Sequence, residues 1–222
     1  MNLNIPYMET DNKLLNDAYR IAAGDIVGNI VYYQNGLLTE EKPCMIAGLD
    51  YNTPWTRDTA INIWNALSIL SPEVSKNTLL AVLEEEEGNI YIGGQYWDSI
   101  IWMIGAREYC RFHKDDNFYR LAFKAGRNSV HRLEEDEFDE EDGLFRGPAV
   151  YGDGIAAYPD KYSKCPNQGS GILEWVDYPG NPVYPKGYGI PMKALSTNCV
   201  YFKAYEILAE MAHALGEPAK EP

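Results

Sequence analysis

Six stretches with helical spacing alternate in character, and this alternation constrains the fold more than any other feature of the chain. The first, at about residues 12–31, carries Leu14, Leu15, Ala18, Tyr19, Ala22, Ile26 and Ile30 on one stripe. The third, from Ser71, and the fifth, at about residues 116–135, are likewise amphipathic with charged outer faces. The second (about 58–70), fourth (about 97–112) and sixth (about 196–215) are apolar on most sides, or rich in small and aromatic residues. A helix with so little polar face is normally buried on most sides. Helical hairpins arranged around a ring need outer and inner helices in strict alternation. The expected class is therefore all-α, a toroid of about three helical hairpins with long ordered loops at one end. At 222 residues the chain is long enough for one sizeable core, and residues 1–222 read as a single domain.

Local signals refine the boundaries. Ser71 is a good N-cap, Pro72 suits the first helical position, and Glu73 complements the helix dipole. The third helix carries Leu79, Leu80, Val82 and Leu83 and ends in the run from Glu84 to Gly88. The sixth stops at Gly216. Residues 88–94, with glycine at both ends, are the one segment that reads as a short hairpin. The connections at 32–54 and 138–193 are too long and irregular to be mere linkers, and loops of that size in a compact domain are usually functional.

Charge and composition narrow the partners. A net charge of −14 disfavours nucleic acid and anionic membranes, whose phosphates need a basic footprint. No apolar run approaches the ~18–20 residues that span a bilayer. The 17 tyrosines suit sugar surfaces, because a phenol ring stacks while its hydroxyl stays wet. Cys44, Cys110, Cys165 and Cys199 have no CxxC spacing, which argues against a zinc site or a dense disulfide framework. Cys110 and Cys199 fall inside helical patterns and read as buried apolar fillers. His113, His131 and His213 show no paired spacing, and the acidic run at 134–142 lacks the EF-hand pattern, so neither a metal nor another cofactor is expected. Residues 1–10 lack the basic and apolar regions of a leader, as in a cytoplasmic chain or in an exported one already processed.

Three segments stand directly before the inner helices. They are Trp55-Thr56-Arg57-Asp58, Gln95-Tyr96-Trp97-Asp98, and residues 191–198. Trp, Arg and Asp form a sugar-binding set: a flat ring to stack on a pyranose, a forked donor, and a carboxylate that accepts from hydroxyls. If the inner helices run parallel, all three segments meet at one end, together with the positive ends of three helix dipoles. Each carboxylate also has a plainer use, since Asp58 and Asp98 near helix starts complement the dipole unaided. The loop at 142–155 adds Arg146, Tyr151 and Asp153, with Asp153 between two glycines that let backbone approach a ligand closely. Glycoside hydrolysis commonly needs two carboxyl groups, one protonated acid and one base or nucleophile. Asp153 is the first choice for the acid, and a turn-forming Asp-Gly is the alternative.

These motifs together resemble the six-hairpin glycosidases, the (α/α)6-barrel enzymes of the glucoamylase, trehalase, processing α-glucosidase and glycogen-debranching groups. The resemblance rests on Pro54-Trp55-Thr56-Arg57-Asp58-Thr59, on Gln95-Tyr96-Trp97-Asp98 and on the loop at 142–160, and it covers roughly residues 47–215. It implies a mostly inverting hydrolase of an α-linked glycoside, with Trp55, Arg57 and Asp58 lining the subsite of the cleaved sugar. Gln95, Trp97, Asp98, Arg146 and Tyr151 would complete the substrate contacts. The segment Asp153-Gly154-Ile155-Ala156-Ala157-Tyr158-Pro159-Asp160 looks like the acid-bearing loop of the processing α-glucosidase group, but Ala156 and Ala157 stand where an acidic residue is expected. Asp160 is then the weaker alternative to Asp153. A full barrel has twelve helices and this chain supplies about six, so the resemblance implies the N-terminal half of the barrel, with the catalytic base elsewhere. Three states follow from that: a fragment, a half-barrel completed by a homodimer, or a non-catalytic carbohydrate-binding or helical interaction protein. A lone half would expose apolar sides of the second and sixth helices. A lyase or epimerase using Tyr151 as base is a further option on the same toroid.

Overall fold

A computed structural model describes residues 5–94, 98–147, 149 and 192–217. Helices dominate. The order is α1 (Lys13–Gly28), β1 (Ile30–Tyr33), β2 (Lys42–Met45), α2 (Thr56–Asn62), a π-helical turn (Ile63–Leu67), α3 (Ser68–Leu70) and α4 (Pro72–Ala81). There follow β3 (Leu83–Glu86), β4 (Asn89–Ile92), α5 (Asp98–Phe112), α6 (Asp116–Glu137), β5 (Phe138–Asp139), β6 (Leu144–Phe145) and α7 (Leu195–Leu215). All six expected helical segments are present, α2, the π turn and α3 forming one continuous element. The chain is largely helical as expected, and among the described residues three two-stranded antiparallel pairs, β1–β2, β3–β4 and β5–β6, accompany the helices where one short hairpin was expected.

The β3–β4 hairpin corrects the expected end of the third helix. That helix stops at Ala81, and Leu83 to Glu86 pair with Ile92 to Asn89. The turn residues Glu87 and Gly88 have φ of 51° and 79°. Positive φ at both central positions is the geometry whose twist matches two flanking strands. The hairpin therefore runs from Leu83 to Ile92 with Gly88 in its turn, and not over residues 88–94 as expected. The β1–β2 pair forms a second hairpin, which begins at Ile30 in the expected first helix and runs into the connection at 32–54. Its Asn35-Gly36 turn caps α4: Asn35 Nδ2 donates to Ala81 O at 3.2 Å and the Leu37 N–H to Leu80 O at 3.1 Å. Gly36 has φ of 59°, and a β-carbon there would stand 2.6 Å from Leu80 O, so only glycine fits.

Cross-helix contacts fix the helix directions. Arg57 meets Asp98, Ala60 lies against Gly105, and His113 Nε2 lies 2.7 Å from Ser68 O. Both partners ascend in number, so α2–α3 and α5 run parallel. Gly126 packs on Met103 and Phe118 on Tyr109, so α6 runs antiparallel to α5. Leu208 touches Gly126 and the Tyr205 hydroxyl donates to Glu134, so α7 runs antiparallel to α6. The Lys76–Asp115 pair and the Trp102 Nε1 bond to Leu79 O set α4 antiparallel to α5. The starts of α2, α5 and α7 therefore lie at one end of the helical layer.

The core fills the space between these helices with Ile63, Leu67, Val74, Leu79, Ile100, Trp102, Phe118, Ile207 and Met211, all fully buried. Two expected burials are corrected. The α1 stripe is mostly outside the core: Leu14 is 78% exposed, and only Ile26 and the following Ile30 pack against it. Cys199 is exposed on α7, because Thr197, Tyr201 and Ala204 take the inward face. Cys44, by contrast, is buried, and burial pushes its thiol up to about 12. The π turn turns Ile63 and Leu67 inward and leaves Trp64 49% exposed, so the second helical segment is less enclosed than its composition implies.

Capping agrees with the sequence in position more than in mechanism. Ser71 is the N-cap of α4 and Pro72 its first residue, but the Ser71 side chain makes no cap bond. Asp115 caps α6 by accepting from Phe118 N at 3.0 Å and also holds Lys76 at 2.6 Å. The Lys76 bond, helped by the Phe118 N–H, keeps the Asp115 carboxyl below its ordinary value of 3.8. A lowered carboxylate contributes stability that is present above the unfolded value and lost as pH falls through the native one. Asp115→Asn retains a competent cap but loses the ion pair. The variant is expected to lose about 0.2–1 kcal/mol at pH 7. It should also lose less stability than the parent between pH 5 and pH 2, an outcome read from urea midpoints across that range.

Candidate functional site

The residues of the Trp55-Thr56-Arg57-Asp58 segment start α2, and Asp98 starts α5. Thr56 Oγ1 donates to Gly93 O at 2.9 Å, which ties the start of α2 to the end of β4. Arg57 Nη1 reaches both Asp98 oxygens, at 3.2 and 3.3 Å. Asp98 is 2% exposed and Arg57 is half-buried, so this is an ion pair shielded from water. Truncating one partner of such a pair leaves a buried charge without its counter-ion. Arg57 also lies 5.3 Å from the Trp55 ring centroid, and Tyr51 meets Trp55 edge-on at 5.9 Å. The exposed Trp55 ring thus has a cation and a second aromatic ring beside it.

A pocket of about 230 Å³ opens beside this pair. Trp55, Asp98, Tyr33, Asn35, Glu84 and Gly94 are among its lining residues. The volume lies below the ~300–1,000 Å³ of drug-sized sites and suits one small ring or the end of a longer ligand. Two helix starts and two hairpins build it: α2 and α5 supply Trp55 and Asp98, β1 and its turn supply Tyr33 and Asn35, and β3 supplies Glu84. Gly94 permits the approach of Asp98. Its φ is 116°, and a β-carbon there would stand 2.6 Å from Asp98 Cβ and 3.0 Å from Thr56 Oγ1.

The other expected site residues are placed as follows. Asp58 sits half-buried on the first turn of α2, next to Arg57. Arg146 follows β6, where Nη2 pairs with Asp139 at 2.5 Å. Lys193 joins Asp139 at 2.8 Å and Asp142 at 2.5 Å. Lys193 holds the Asp139 carboxyl below its ordinary range. This ion cluster stands at the start of α7, since Asn198 bonds both Phe145 N and Phe145 O, and the Phe145 and Tyr201 rings stack at 3.6 Å. The Gly147 N–H donates to Met192 O at 2.8 Å, so the residues flanking the Asp153 segment are joined. Gln95, Trp97, Tyr151 and Asp153 lie outside the described residues. Among the described residues no group of three or more His, Cys, Asp or Glu side chains is arranged to hold a metal ion.

Sequence reasoning missed Tyr33, Asn35 and Glu84. The signal for the first two was the Asn35-Gly36 dipeptide, a strong turn former that the helical reading of residues 12–31 left outside any element. Gly93-Gly94 is too short for a phosphate-loop fingerprint, yet in the structure it is the wall on which Asp98 rests. No family model, curated protein or solved structure matches the chain.

Proposed function

We propose that this chain binds a carbohydrate between the starts of α2 and α5, as the N-terminal half of an inverting glycoside hydrolase acting on α-linked glycosides. The observation that carries the reading is the union of Trp55, Arg57 and Asp98 from two sequence-distant helix starts at one small pocket. An exposed indole beside a fixed carboxylate offers a pyranose a stacking face and a hydroxyl acceptor together. The shared direction of α2, α5 and α7, with α4 and α6 antiparallel, supports half of a toroid of helical hairpins. Trp64, Ile69 and Phe202, exposed on α2–α3 and α7, favour a second half or a second copy of the chain as cover. Asp153 is the general acid in this reading and the base belongs to the covering half.

A carbohydrate-binding protein without turnover is the second reading, and the Arg57–Asp98 pair favours it. A carboxylate that accepts from a guanidinium through both oxygens is held in place to orient a ligand, a role that needs no turnover. Light scattering of the purified chain, combined with hydrolysis assays on a panel of α-glycosides, separates the two. An assembled species that cleaves one of them, and loses more than about 100-fold in rate in Asp153→Asn, is the expected result for the enzyme. An unchanged rate in Asp153→Asn removes that residue from the acid role. Glycan binding with no turnover at any pH leaves the binding protein.

A further inference from the structure

Gly93 and Gly94 each make room for a carboxylate. A β-carbon on Gly93 would stand 2.5 Å from Glu84 Oε1, and one on Gly94 would stand 2.8 Å from Asp98 Oδ2. Both acids line the same pocket, but they are committed differently. Asp98 is held by Arg57. The Glu84 side chain makes no ion pair or hydrogen bond among the described residues, whereas Glu86, two residues on, is taken by Arg132 at 2.6 Å. The pocket thus presents one paired carboxylate and one whose oxygens remain available as acceptors. Tyr33 and Asn35 add polar groups on the β1 side.

We infer that this pocket selects an uncharged, hydroxyl-rich ring over an anionic one, and that Glu84 is the residue that sets the preference. The inference rests on the carbohydrate reading and deepens it. A carboxylate accepts two hydroxyl hydrogen bonds, each strengthened by its charge. The same charge repels a carboxylate or phosphate on the ligand, and although Glu84 is exposed, contact distance inside a small pocket keeps that repulsion effective. Asp98 contributes less to the discrimination, since its charge is balanced by Arg57.

The test compares neutral methyl α-glycosides of glucose, mannose and galactose with the matching methyl α-uronides, binding being measured by calorimetry. The parent is expected to bind at least one neutral glycoside about 10-fold or more tighter than its uronide. Glu84→Gln, which keeps the shape and removes the charge, should narrow that ratio by about 5-fold or more. Glu85→Gln is the control. It removes the same net charge from the adjacent residue, whose side chain leaves the opposite face of the strand, and its ratio should stay at the parental value. A ratio unaltered in Glu84→Gln, or altered equally in Glu85→Gln, overturns the assignment while leaving the carbohydrate reading intact. Binding of no neutral glycoside by the parent removes the carbohydrate reading and the inference with it.

Discussion

Gly105→Ala is expected to lower the stability of the chain by about 1–3 kcal/mol, the usual cost of overpacking a tight core. The sign is the informative part. In a permissive helical position alanine is favoured over glycine by about 0.5–1 kcal/mol. At Gly105 the added β-carbon would stand 2.8 Å from Ala60 Cα and 3.0 Å from Ala60 O. Both are backbone atoms of a buried helix, and no side chain can swing aside to relieve them. Either α2 and α5 separate or the chain carries the strain. Gly24, on α1, has nothing within 4 Å of the same position, so Gly24→Ala is expected to be neutral or stabilising. Urea denaturation of the two variants checks both signs. Two losses would mean that glycine serves backbone flexibility at both sites, and two gains would mean that α2 and α5 are not in contact at Gly105. Separation at Gly105 should also reach the pocket, because Arg57 and Asp98 lie at the starts of the same two helices.

The long periodic segments were legible because burial imposes the 3.6-residue period on them. Trp102, Ile100 and Phe118 lie where their pattern puts them, and Gly216 ends α7 with φ of 68° as a helix-terminating glycine does. The failures have local causes. Val82 and Leu83 continue the apolar pattern of α4, but the positive-φ pair Glu87-Gly88 rewards a hairpin, and apolar residues satisfy either period over so short a run. The α1 stripe is genuine in sequence, and only its last turn reaches the core. At the site, Trp55, Arg57 and Asp98 were readable as a set of residue types at helix starts. That Arg57 would be spent on Asp98, 41 residues away in sequence, was not, because pairing depends on the close crossing at Ala60 and Gly105. Glu84 was read as part of the run that ends the third helix. Strand alternation sends its neighbour Glu85 to the other face, a distinction that a helical reading of the run cannot make.

Arg57→Met should destabilise the chain by about 3 kcal/mol or more, since it removes the counter-ion of an aspartate that is 2% exposed. Asp98→Asn should cost less. It keeps a hydrogen-bond acceptor for Arg57, whose side chain retains some contact with water. The double variant Arg57→Met with Asp98→Asn is expected to recover part of the loss, because both charges of the pair are then removed together. A coupling energy of about 1–3 kcal/mol in the double-mutant cycle is the signature of a direct pair. Additive losses would mean that the two residues act through separate partners. Stability and binding should part company in the double variant. It regains folding free energy while lacking the oriented carboxylate and the cation beside Trp55, so sugar binding should stay absent. A double variant that folds well and binds as tightly as the parent would reduce the pair to a structural clamp between α2 and α5. The ligand contacts would then belong to Trp55 and to the carboxylate on β3.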